Sequence, residues 1–119
     1  MNRVFVKLGL EAIKKSERPG VVALRHALVR GDGLTAKDVS WSIVPVINAA
    51  GRMGQAVVAC QLLLAETLEE ARGFVAQLSV MNAERKERVK TNLVIVAAAL
   101  EEKFDPDRDA IAMLSVRDI

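Results

Sequence analysis

The chain has 119 residues and a mass of 12.9 kDa, which fits one domain of ordinary size and excludes a second full domain. It is 51% hydrophobic but has only three Phe and one Trp, so its core must be aliphatic; one His and one Cys exclude most metal, disulfide and Cys-His chemistry. The formal net charge of +2 is too small to identify a nucleic-acid binder.

Three short helices are predicted in the first part of the chain. Apolar residues recur at helical spacing over residues 2–15. Pro19 suits the first turn of a second helix, VVALRHALVR, which ends at Gly31. Thr35, with an aspartate three residues later, predicts a capping-box start for a third helix, which Pro45 should end or kink.

One long helix dominates the second half. The segment PVINAAGRMG leads into the apolar run QAVVACQLLLAE, and Thr67, with a glutamate three residues on, is a second capping-box signal. No proline follows until Pro106, so the helix can continue to Lys103. It would span about 55 Å at 1.5 Å per residue, which is more than the width of a compact domain of this size.

Apolar residues of this connector helix fall into two blocks around the polar stretch NAERKERVKTN. The first block has one-sided helical spacing and can rest on the preceding helices. The second block, residues 93–100 (LVIVAAAL), has no obvious partner within the chain. It therefore predicts a homo-oligomer formed through residues 93–100.

These elements predict a mainly α fold with three parts. Residues 1–66 form a helical subdomain, residues 67–104 form the connector helix, and residues 105–119 begin a further domain. A short C-terminal strand is expected over Ile111, Met113 and Val116. Cys60 is expected to be a buried, reduced thiol, and Trp41 is expected to anchor the core.

The string Asn48-Ala-Ala-Gly51-Arg52-Met-Gly54 is the strongest candidate site. Its two glycines flank an arginine at the expected entrance to a helix, where free backbone N–H groups favour an anion. Arg52 could hold a phosphate bidentately, and Asn48 could orient it. The alternative is a helix-helix corner with glycine in a left-handed conformation and Arg52 in solvent, and spacing alone favours this corner.

Two weaker signals also point to nucleic acid. Gly51 and Gly54 match the GxxG loop of KH domains, although that fold needs flanking strands and only RVFVKL could supply one. Arg85 and Lys86 on the connector helix could touch phosphates, but glutamates beside them offset their charge.

Charge is distributed unevenly along the chain. Residues 1–60 carry nine Lys and Arg against four Asp and Glu, or +5, and residues 61–119 carry eight against eleven, or −3. The basic half can attract phosphate. No apolar run reaches the roughly 18 residues of a membrane span, and no signal-peptide pattern is present, so a cytoplasmic protein without a membrane segment is expected.

The order of these motifs resembles a known family. NRVFVKLGLEAIKKSERPGVVAL, LTAKDVSWSIVPVINAAGRMGQAVVACQLLL and LEEARGFVAQLSVMNAERKE, in this order, resemble the segment of RecJ-type DHH-family exonucleases that joins their two catalytic domains. The similarity runs from Asn2 to about Glu87, and INAAGRM is its most specific part. The terminal AIAMLSV resembles the first strand of the family's DHHA1 domain.

The resemblance implies a parent enzyme that degrades single-stranded DNA from the 5′ end in recombination and repair, using Mn²⁺ or Mg²⁺. The family's metal ligands lie in the DHH domain, upstream of this segment, and its DNA-gripping motifs lie in the DHHA1 domain, downstream. The chain is thus expected to hold no catalytic residue and no metal of its own. Arg52 and Asn48 match the family's NAAGR motif, which lies beside the substrate path.

One departure from the family pattern bears on this expectation. Members commonly have glycine, proline and arginine before the motif, whereas Val44, Pro45 and Val46 stand here. Loss of that arginine leaves open a divergent DHH phosphoesterase with another substrate. A hypothesis of a different class is a free-standing helical interaction protein that dimerises through residues 93–100.

Overall fold

The computed structural model describes residues 2–31, 33–103, 105 and 111, and this part of the chain contains helices and no strand. The helices are α1 (Asn2–Lys15), α2 (Pro19–Leu28), α3 (Ala36–Asp38), a π-helical segment (Val39–Ile43), α4 (Val44–Arg52), α5 (Ala56–Leu64) and α6 (Leu68–Lys103). The predicted mainly α fold with one long final helix is confirmed. The predicted C-terminal strand around Met113 and Val116 lies outside the described residues.

Side chains cap two of the helix starts. Thr35 and Asp38 form the predicted capping box: the Asp38 amide donates to the Thr35 hydroxyl at 3.2 Å, and the Thr35 amide donates to the Asp38 carboxylate at 2.9 Å. At α6 the Glu70 amide donates to the Thr67 hydroxyl at 3.2 Å, but the Glu70 carboxylate accepts from the Glu66 amide instead. The second box is therefore only half formed.

Pro45 does not end its helix. The chain stays helical from Ala36 to Arg52, and the π-helical segment lies immediately before the proline, with the Val44 amide donating to the carbonyl of Val39. In a regular α-helix the ring of Pro45 would meet the carbonyl of Trp41, four residues earlier. A wider π turn at this point lets the helix pass the proline.

The chain divides into two compact units, residues 1–83 and residues 84–119, and α6 runs through the boundary. In the first unit α4 packs against α5, and α2 packs against α5 and the π-helical segment. Its core is aliphatic, as the composition requires, and consists of Ala23, Leu24, Ile43, Val46, Ala49, Ala50, Leu62, Ala65, Ala71, Val75, Leu78 and Met81.

In the second unit most described side chains of α6 are exposed, among them Leu93 and Val94. The predicted domain limits at residues 66 and 104 remain predictions. No helix of the described residues is long and apolar enough to cross a membrane.

Candidate nucleic-acid interface

The string Asn48 to Arg52 forms the last turns of α4. Ala49 and Ala50 are fully buried against the core, while Asn48, Gly51 and Arg52 are exposed. The exposed side faces an open groove of about 430 Å³ that we call the α4 groove, lined by Ile47, Asn48, Gly51, Arg52, Ala56 and Ala59. The burial pattern of one helix therefore brings three of the predicted site residues together.

The expected placement of this string at a helix entrance is wrong. Arg52 lies in the last turn of α4, and Gly51 is helical, so its amide is not a free donor at a helix start. The chain then turns at Gly54, which has a φ of +73°, and the Gln55 amide donates to the carbonyl of Ala50 at 2.7 Å. The structure thus matches the helix-helix corner, with Arg52 stabilised by the negative end of the α4 dipole.

The corner nevertheless leaves Arg52 available to a ligand. Within residues 2–31 and 33–103 its guanidinium makes no hydrogen bond or ion pair. Asn48 lies one turn earlier on the same face, and Gly51 between them has no side chain to block an approaching backbone. A guanidinium and an amide beside an unobstructed surface can bind a phosphate by charge-assisted hydrogen bonds.

The remaining predicted site residues lie outside the α4 groove. Gly54 belongs to the turn after α4. Arg85 and Lys86 belong to the 84–119 unit, where Arg85 is half-buried with an interaction partner and Lys86 is exposed. In the same unit Lys90 pairs with Glu87 at 2.6 Å, a surface ion pair of the kind that contributes little stability.

Two expectations about individual positions are wrong. Cys60 is exposed rather than buried. Trp41 is 78% exposed and does not anchor the core. The segment RVFVKL lies inside α1, so it supplies no strand to a KH fold, and that alternative is not favoured.

Sequence reasoning missed that Trp41 shares a face with the candidate site. The exposed positions of the helical run from Ala36 to Arg52 include Lys37, Trp41, Val44, Asn48 and Arg52, spaced by three or four residues. This spacing is the period of one helix face and is readable from the sequence once the run is known to continue through Pro45.

Known proteins are similar to this chain over most of its length. No protein-family model matches the chain. The single-stranded-DNA-specific exonuclease RecJ of Escherichia coli K12 is 34% identical over 112 residues, covering 92% of this chain and 19% of the relative. RecJ of Thermus thermophilus is 36% identical over 115 residues, covering 95% of this chain and 16% of the relative.

The fold agrees as well. The crystal structure of Thermus thermophilus RecJ in complex with Mn²⁺ superposes with a TM-score of 0.74 at 35% identity, covering 89% of this chain and 15% of that one. The chain is a RecJ-type segment. It spans less than a fifth of the length of these relatives.

At residue 46 the RecJ-type segment has a valine in place of the family's usual arginine, and the structure shows where this side chain lies. Val46, which stands where the family resemblance places an arginine, is 4% exposed and belongs to the core. A buried valine offers no donor to a phosphate. Any phosphate contact of this helix therefore depends on its exposed residues, chiefly Arg52.

Proposed function

We propose that the RecJ-type segment is the helical connector of a longer RecJ-like exonuclease that degrades single-stranded DNA from the 5′ end, in recombination and repair. In this proposal it spaces a metal-bearing DHH domain from a DNA-gripping DHHA1 domain. The support is the similarity to RecJ proteins over nearly the whole chain, together with the matching fold. The scaffold role agrees with a 36-residue helix whose residues belong to both units.

Catalysis in this proposal belongs to other parts of the longer protein. Crystal structures of Thermus thermophilus RecJ contain Mn²⁺ or Mg²⁺, so we propose a divalent metal for the parent enzyme. The residues described in this chain do not fit such an ion, since no three His, Cys, Asp or Glu side chains cluster within residues 2–31 and 33–103. The chain's own contribution would be to position the strand.

Arg52, exposed and without a partner among the described residues, is the observation that supports a nucleic-acid role. Its guanidinium would contact one phosphate of the strand, Asn48 would donate or accept beside it, and Gly51 would let the strand lie close to α4. The small Ala56 and Ala59 across the α4 groove keep the approach open. Such contacts hold a strand in place without reading its sequence.

This role predicts weak, salt-sensitive binding of a single-stranded oligonucleotide that depends on Arg52. Arg52→Ala should weaken binding several-fold and reduce the slope of log K against log salt by about 0.7, the value for one phosphate contact on a single strand. Fluorescence anisotropy of a labelled oligonucleotide measures both quantities. Arg72→Ala, which removes another exposed arginine, on α6, is the matched control and should change neither.

Equal loss in the two variants, or binding unaffected by Arg52→Ala, would remove Arg52 from the proposal. The scaffold role has a separate test. Residues 2–87 can replace the matching segment of Thermus thermophilus RecJ, and retained exonuclease activity of that chimera is the expected result. A folded chimera that binds metal but has no activity would contradict the connector role.

A further inference from the structure

Trp41 lies on the surface of the π-helical segment, 78% exposed. Tryptophan is usually largely buried because its ring is the largest apolar side chain, so an indole left in water is costly unless something covers it. π-Helical turns also occur frequently at functional sites. The position therefore calls for a ligand that a flat aromatic ring recognises.

The neighbours of Trp41 on its own helix face identify the chemistry of that ligand. Lys37 lies one turn before it, and Asn48 and Arg52 lie further along the same exposed stripe. The one carboxylate close in sequence, Asp38, accepts from both the amide and the hydroxyl of Thr35 in the capping box. Along this face the indole of Trp41 therefore has the cation of Lys37 on one side, and the neutral amide of Asn48 and the cation of Arg52 on the other.

We infer that Trp41 is a stacking platform for an unpaired base of the strand whose phosphate Arg52 contacts. Stacking on an aromatic ring together with phosphate contacts from Lys or Arg is the general way in which proteins bind single strands without sequence preference. The assignment rests on the proposed nucleic-acid role of Arg52. It adds a contact to the base, which phosphate-binding side chains cannot make.

The spacing along the helix defines which strands can use both contacts. The separation of Trp41 and Arg52 along the helix axis is about 16 Å at 1.5 Å per residue. A strand with the duplex's axial rise of about 3.4 Å per nucleotide covers that distance in roughly five nucleotides, and an extended strand in fewer. A mononucleotide can occupy only one of the two contacts, so affinity should rise steeply between one and about five nucleotides.

The chain's single tryptophan makes the inference directly measurable. Titration of the whole chain with oligodeoxythymidylates of one to eight nucleotides should quench the intrinsic fluorescence of Trp41, in parallel with the anisotropy rise of a labelled oligonucleotide. An abasic oligomer with the same phosphates should bind more weakly and leave the emission unchanged. Trp41→Leu should weaken binding about tenfold, and Trp41→Phe should largely restore it.

Phe5→Leu is the matched control because it removes another exposed ring, on α1, and should leave the affinity unchanged. Anisotropy that rises without quenching, or equal affinity for Trp41→Leu and the unsubstituted chain, overturns the stacking site while leaving the Arg52 contact intact. Either outcome would indicate that the exposed indole is a contact surface for another part of a longer protein and not for a base. Absence of any binding that depends on Arg52 overturns both proposals.

Discussion

Gly20 lies where the start of α2 closely approaches α5. A Cβ atom at this position would clash with the carbonyl oxygen of Leu62 and lie 3.3 Å from the Cα of Leu63, so the start of α2 rests directly on the backbone of α5. Beside it the Arg18 guanidinium donates to the carbonyl of Leu63 at 3.0 Å. The absence of a side chain at Gly20 and the hydrogen bond from Arg18 therefore both hold the start of α2 against α5.

Gly20→Ala should destabilise the protein by about 1–3 kcal/mol, because the new methyl group meets a main-chain carbonyl that moves only if α2 moves. Gly73→Ala is the matched control: Gly73 lies in the interior of α6 with open space around it, and its replacement should stabilise by about 0.5–1 kcal/mol through helix propensity. Urea unfolding followed by circular dichroism measures both. Equal effects in the two variants would contradict the close contact.

The capping box at α3 makes part of the stability depend on pH. Hydrogen bonds from the Thr35 hydroxyl, and then from the Thr35 amide, lower the pKa of Asp38 below its ordinary value. A carboxyl whose pKa is lowered by folding adds stability above its unfolded pKa, and this stability is lost as pH falls toward the lowered value.

Asp38→Asn should therefore reduce stability at neutral pH and flatten its decline in the acid range below the ordinary pKa of an aspartate. Urea unfolding at a series of pH values checks this. Glu17→Gln, which changes an exposed carboxylate in the link between α1 and α2, is the control and should keep the acid decline of the unsubstituted chain. An Asp38→Asn variant with that same decline would show that another group is responsible.

At the scale of elements, sequence patterns predict where helices begin and end better than they predict which side of a helix is buried. The limits of α1 follow from apolar spacing and the break before Pro19, and α6 follows from a long stretch without proline. The run AVVACQLLL in α5 has apolar residues on every side, so its period cannot show that Leu62 is buried while Leu64 is 73% exposed. The same ambiguity explains the wrong prediction for Cys60.

The π-helical segment explains the other main error at this scale. Hydrophobicity alone favours burial of Trp41, and proline rules favour a helix end at Pro45. Both rules act locally, whereas the continuous run from Ala36 to Arg52 is set by packing of α4 and the π-helical segment against the core. The motif predicts the candidate site residues, which remain predictions, and the helix-helix corner that its spacing favours is the arrangement found at the end of α4.

At the scale of the whole molecule, each of the two units presents apolar surface to solvent. In the 84–119 unit Leu93 is 62% exposed and Val94 is 71% exposed, within the block predicted to form a homo-oligomer. Adjacent large aliphatic side chains in water favour association, because burying them is worth about 1.5–3 kcal/mol each.

The isolated chain should self-associate with rising concentration, and the double substitution Leu93→Glu with Val94→Glu should keep it monomeric by adding charge to the contact. Sedimentation equilibrium over a wide concentration range measures this. Val80→Glu, at a position of α6 that is also exposed but lies outside the block, should leave association unchanged. A chain that is monomeric at every concentration would disprove this mode of assembly.

The exposure of the single tryptophan also determines what intrinsic fluorescence can measure in this protein. A tryptophan already surrounded by water in the native state should emit at nearly the same wavelength after denaturation, so its fluorescence should be almost blind to unfolding. The same exposure makes the emission sensitive to anything that arrives at the surface. Trp41 fluorescence is thus a weak probe of unfolding and a sensitive probe of any molecule that binds to that helix face.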